Sequence, residues 1–131
     1  MITTTTSEAI DRLLEAVQGG AGVSPSLFAP DVVLDATVPG WRFQRHGPAA
    51  VAAQYTGWFA YPGTFEELER HDYAGGAVVT YLLTWEEGGV PHAAHHCHVL
   101  RFDDVGRIVG DQFFCGGRWD ASLLAEMAAA Q

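Results

Sequence analysis

From residue 64 onward the chain reads as strand after strand, cut only by short glycine-bearing turns, and no other feature constrains its fold as much. Thr64 to Tyr73, Val78 to Glu86, Pro91 to Phe102 and Arg107 to Phe114 are strand-like. The separators are the turns Gly75-Gly76, Glu87-Gly88-Gly89 and Asp103-Asp104-Val105-Gly106. Turns of this kind predict an antiparallel meander.

The first half differs. Ile10, Leu13, Leu14 and Val17 fall at i, i+3, i+4 and i+7, the stripe of an amphipathic helix over residues 6 to 18. Thr5 and Glu8 are spaced as a capping box, and Gly19-Gly20 ends the helix. The β-branched run Asp31 to Val38 predicts a strand closed by Pro39-Gly40. Gly47-Pro48 opens a second helix, with Val51, Tyr55, Trp58 and Phe59 on its buried face and Pro62-Gly63 as its breaker. Asp120 is placed to cap a short last helix that carries Leu123, Leu124 and Met127 on one face. Helices first and long antiparallel strands afterwards define an α+β chain whose curved sheet buries one face against the helices. Such a sheet leaves a hollow, where small ligands bind.

At 131 residues, with 48% hydrophobic residues, the chain suits one soluble domain over residues 1–131. Its seven basic residues, all arginine, face sixteen acids, and a net charge of −9 repels phosphate backbones, so no nucleic-acid partner is expected. No apolar run reaches membrane-spanning length and no secretory signal is recognised, which gives no membrane partner and a cytoplasmic location as the expectation. Cys97 and Cys115 are expected to be free thiols there.

Residues 92 to 98 read HAAHHCH and hold four of the six histidines. Alternation along a strand divides them: His92, Ala94, His96, His98 and Leu100 share one face, and Ala93, His95, Cys97, Val99 and Arg101 the other. On the preceding strand Val79, Tyr81, Leu83 and Trp85 share the bulky face, and on the following one Asp111, Phe113 and Cys115 alternate with Gln112 and Phe114.

The stretches LFAPDVVLDATVPG, HGPAAVAAQY and above all HVLRFDDVGRIVGDQFF resemble the nuclear transport factor 2-like superfamily, in particular its SnoaL-like and ketosteroid isomerase-like members. The resemblance implies a cone-shaped α+β barrel, a cystatin-like roll in which a bent antiparallel sheet wraps three helices around a deep pocket. Aligned to the ketosteroid isomerase pattern, HVLRF falls where that family has an aspartic acid followed by xFRF, which puts His98 at the position of the acidic oxyanion donor. The same match implies that Tyr55, Phe59, Tyr81, Leu83, Trp85, Asp111, Phe113 and Cys115 line the pocket, and alternation then brings His96 inward. The chain departs from the pattern in two places. The family's general-base aspartate falls at Ala36, one residue beyond Asp35, and the first helix offers no oxyanion tyrosine. A one-residue slip of the strand would turn Asp35 inward.

Histidine exchanges protons near neutrality, so His96 or His98 beside Asp111 makes a base with an orienting carboxylate, and Asp35 a second carboxylate on the opposite wall. The expected function is a small enzyme without cofactor, doing isomerisation, cyclisation, dehydration or hydration on a hydrophobic cyclic or polyketide-like molecule. The alternative is a non-catalytic pocket protein that binds an apolar small molecule. His96, His98 and Asp111 also match the number of ligands a metal needs, but HExxH and CxxC spacings are absent and no metal is expected. Trp41, in the connection VPGWRFQRHG, reads either as a lid or stacking residue of the pocket or as a cover for the core. Arg42 matters only for an acidic or enolate ligand, and Cys115 reads as packing rather than as a nucleophile. Thr80, Leu82 and Thr84 on the outer face suit a homodimer packed sheet to sheet, as this superfamily often forms.

Overall fold

The computed structural model describes residues 4–131, with side chains from Thr6 onward. Its first helix, α1, spans Thr4–Gly19 and buries the predicted stripe of Ile10, Leu13, Leu14 and Val17. The capping box of Thr5 and Glu8 depends on the Thr5 side chain, which lies outside the described side chains. After a single turn of 3-10 helix (Pro25–Leu27) come β1 (Phe28–Val38), β2 (Trp41–His46), α2 (Pro48–Trp58), β3 (Gly63–Tyr73), β4 (Gly76–Glu87), β5 (Val90–Phe102), β6 (Ile108–Asp120) and α3 (Ala121–Ala129).

All six strands join one sheet in the order β2-β1-β6-β5-β4-β3. The meander β3 to β6 is antiparallel throughout, as its short turns require. The sheet as a whole is mixed rather than purely antiparallel, because β1 lies parallel to β6, with Ala36 opposite Phe113. Proline at the first position starts α2, and Val51, Ala52 and Tyr55 bury its inner side against β1. The core thus lies between α1, α2 and the inner sheet face, around Leu34, Leu100, Ile108 and Phe113.

Two boundaries differ clearly from the sequence reading. Trp41–His46, expected as a connection, is an edge strand paired to β1 through the Pro39-Gly40 turn. None of its residues is fully buried, so the core-facing alternation that marks a strand is absent. β6 continues six residues past its expected end at Phe114, through Gly116 and Gly117. Asp120 caps α3 as predicted, its Oδ1 accepting from the Leu123 N–H at 3.0 Å. Yet no residue of α3 is fully buried, and Leu123 stands exposed. α3 lies against β5 and β6 and adds little to the core. Thr80, Leu82 and Thr84 are half-buried on the outer sheet face rather than exposed.

Candidate active site

Cross-strand pairing stacks the inward side chains of β4, β5 and β6 in rows. Tyr81, His96 and Cys115 form one row, and Val79, His98 and Phe113 the next one inward. Asp111 lies beyond, opposite Leu100 on one side and Leu34 on the other. His98 and Asp111 are sealed from solvent, and His96 is 8% exposed. His95 points to solvent and Cys97 is half-buried, so alternation divides the histidine run as predicted.

Polar groups of this kind are buried only when bonded, and here they form one continuous line. The Asp111 Oδ2 accepts from the hydroxyl of Tyr55 on α2 and from the His98 Nδ1–H at 2.6 Å. The Nε2 of a neutral His98 is then an acceptor and takes the Tyr81 O–H at 2.8 Å. The Tyr81 oxygen in turn accepts from the His96 Nδ1–H at 3.1 Å. His96 Nε2 is left with a lone pair and no partner among the described residues. Among the described residues only Asp111 Oδ1 is a buried side-chain polar atom without a bond.

Burial and charge shape each member. Phe113 lies 4.9 Å from the His96 ring and 4.8 Å from the His98 ring, centroid to centroid, and Phe59 stands edge-on to His96. This apolar surround pushes the His96 pKa down to about 3, chiefly by desolvating the imidazolium and secondarily through the repulsion that a protonated His98 exerts on it. Burial, reinforced by the Asp111 charge, raises the Tyr55 and Tyr81 hydroxyls well above their ordinary value, so both remain protonated donors.

A cavity of about 390 Å³ opens against this line at His96. Phe59, Leu83, Trp85, Phe113 and Cys115, all expected in the pocket, line it. Tyr55 and Tyr81 sit behind the wall and serve the polar line instead. Trp58, stacked 4.9 Å from Phe113, is also in the lining, as are Glu87 and Arg118. Glu87 extends the inward series Tyr81, Leu83, Trp85 by one step and was legible by alternation once β4 was carried to its end. Arg118 was not, because a bulge intervenes. Burial shifts the Cys115 thiol up, away from the thiolate form, which agrees with packing.

Two expected site residues are elsewhere. Asp35 faces outward, since Leu34 and Ala36 on either side of it are buried. The register between β1 and β6 runs without a break from Val33 to Thr37, its shift falling earlier, between Phe28 and Val33, so the slip that would turn Asp35 inward is absent. Its carboxylate instead accepts from Arg42 Nε and Nη2 at 3.0 and 2.7 Å, and this pairing lowers its pKa. Trp41 is 69% exposed at the hairpin and neither covers the core nor reaches the cavity. As for metals, both His98 nitrogens and His96 Nδ1 are engaged within the line. Among the described residues no three His, Cys, Asp or Glu side chains are grouped to hold an ion.

An α+β cone holding a buried polar line beside a side cavity defines a class of small pocket-bearing proteins. The sequence profile of the SnoaL-like domain matches residues 10–110, and the chain belongs to this family, within the nuclear transport factor 2-like superfamily. No curated protein matches the sequence. Among solved structures, a protein described as a candidate isomerase from Rhodopseudomonas palustris superposes with a TM-score of 0.65 at 16% identity, covering 100% of both chains. A steroid delta-isomerase from Pseudomonas aeruginosa gives 0.59 at 19% identity over 98% of this chain and 89% of its own. A chain from work on "de novo design of proteins with diverse pocket structures" gives 0.59 at 16% identity over 83% and 96%. At such identities these likenesses establish the fold, which natural enzymes and designed pockets share.

Proposed function

We propose that this protein is a cofactor-independent acid/base enzyme that moves a proton on a hydrophobic cyclic molecule, with His96 as the group that meets the substrate. The observation that carries the proposal is the line Asp111–His98–Tyr81–His96, which ends on a free imidazole nitrogen at the cavity wall. Alone, His96 is a weak base, because its pKa of about 3 disfavours the imidazolium. The line removes that obstacle. As His96 Nε2 takes a proton from a carbon beside a carbonyl, its Nδ1 proton passes to the Tyr81 oxygen and the Tyr81 proton to His98 Nε2. The positive charge then rests on His98, against the Asp111 carboxylate, and His96 is neutral with its proton on Nε2 facing the substrate. Returning that proton to another carbon of the same molecule resets every bond and completes an isomerisation. The aromatic walls keep water from competing. Cyclisation, dehydration and hydration use the same proton transfer.

2-Tetralone in D2O tests this reading by the exchange of its α-hydrogens, followed by proton NMR. The protein should accelerate exchange above the buffer rate, and His96→Gln and Tyr81→Phe should each lower the acceleration by about 100-fold or more. No acceleration, or equal rates in all three proteins, would reject the enzyme in favour of a pocket protein that only binds.

We further propose a cytoplasmic location, in keeping with two unpaired cysteines, and a homodimer formed through the outer sheet face around Thr80, Leu82 and Phe114. Light scattering at micromolar concentration should give twice the chain mass of 14.1 kDa. A single-chain mass would rule the dimer out.

A further inference from the structure

Arg118 is in the cavity wall because of a local irregularity in β6. Asp111, Phe113 and Cys115 face inward, so unbroken alternation would send residue 118 outward with Gln112 and Phe114. The pairing instead sets Cys115 opposite His96 and Arg118 opposite Ala94, three residues of β6 against two of β5. Gly116 and Gly117 absorb the extra residue, Gly117 at φ 124°, a conformation open to glycine and strained for other residues. The parity of the strand reverses there, and Arg118 joins the inner face with Ala94.

Among the described residues Arg118 is the sole cation of the cavity lining. Its guanidinium is held in place from one side. Nη2 donates to Glu87 Oε1, which also accepts from the Trp85 indole N–H at 2.9 Å, and the group lies 5.3 Å from the Trp85 ring centroid. Among the described residues Nε and Nη1 have no partner, and the side chain is 55% exposed, at the mouth of the cavity. Arg118 pairs with Ala94, two residues along β5 from His96 and roughly 7 Å at strand rise, and its side chain extends away from that row toward Trp85 and Glu87. The cation is thus displaced from the reactive nitrogen toward the Trp85 and Glu87 end of the cavity, whose lining also includes Leu83 and Trp58.

Resting on the reading of this cavity as the ligand site, we propose that Arg118 is a specificity-determining residue for a carboxylate: the substrate is an aromatic or polycyclic acid, its acid group on Arg118 and its reacting end at His96. In a chain of net charge −9 an acid is repelled over most of the surface. A positioned guanidinium with unused donors is the feature that selects it.

The test compares 2-naphthylacetate with its neutral isostere 2-naphthylacetamide by titration calorimetry on the full chain. The wild-type protein should bind the acid about tenfold tighter or more, the effect of a charge-assisted hydrogen bond. Arg118→Met should erase that preference by weakening the acid alone, with amide affinity unchanged. Equal wild-type affinities, or a preference that survives Arg118→Met, would overturn the assignment while leaving His96 chemistry standing. A loss of both ligands in Arg118→Met would overturn it too, since the arginine would then be shaping the cavity. If neither compound bound the wild-type protein, the cavity reading itself would fall and this inference with it.

Discussion

Asp111→Leu should destabilise the protein by about 3–5 kcal/mol, the cost of removing one partner from a buried charged network. The substitution leaves the Tyr55 hydroxyl and the His98 Nδ1–H facing a hydrocarbon side chain in a region that water does not reach. A domain stable by 5–15 kcal/mol would lose a large fraction of its margin. Asp111→Asn should cost less, because its amide oxygen still accepts one of the two donors. Urea denaturation at pH 7 measures both. A Leu variant within about 1 kcal/mol of wild type would show that the polar line is not closed as described.

Stability should also fall as acid is added, through His96. Its folded pKa of about 3 lies below the unfolded value of about 6.5. Between those limits the unfolded chain binds a proton there that the folded chain refuses. Stability therefore decreases as pH falls from about 6.5, by at most about 1.4 kcal/mol per unit, and this contribution levels off below about pH 3. Asp35 and Asp103, whose pKa values are lowered by Arg42 and Arg107 respectively, add losses of the same sign at the acid end. The His96 share is isolated by subtracting the stability profile of His96→Gln from that of wild type. A flat difference between pH 4 and 6 would mean that His96 is already protonated or solvated in the folded state. The His96 ring protons, followed by NMR, should likewise show no titration above about pH 4.

Much of the architecture was readable because short-range rules govern it. The α1 stripe, the proline start of α2, the Asp120 cap and the turns of the meander depend on residues a few positions apart, and each stands where the pattern predicts it. The division of HAAHHCH followed from strand alternation, which needs no knowledge of any neighbouring strand.

Asp35 and Trp41 show where that knowledge stops. Whether a strand slips by one residue depends on its partner's register, and β1 takes its register from β6, some eighty residues away in sequence. Trp41 is large and apolar, yet it begins an edge strand with nothing packed over it, which its own sequence does not encode.

By itself, then, the sequence determined the fold class and the helix faces, and grouped His96 with His98 on one strand face, because periodicity acts locally; the family resemblance pointed that face and Asp111 inward. Only the tertiary structure decided that Tyr55, 56 residues before Asp111, shares its carboxylate, that Tyr81 links the two histidines, and that a two-glycine bulge turns Arg118 into the cavity. Those arrangements arise from register and from the packing of α2 against the sheet, and both come into being only when distant segments meet.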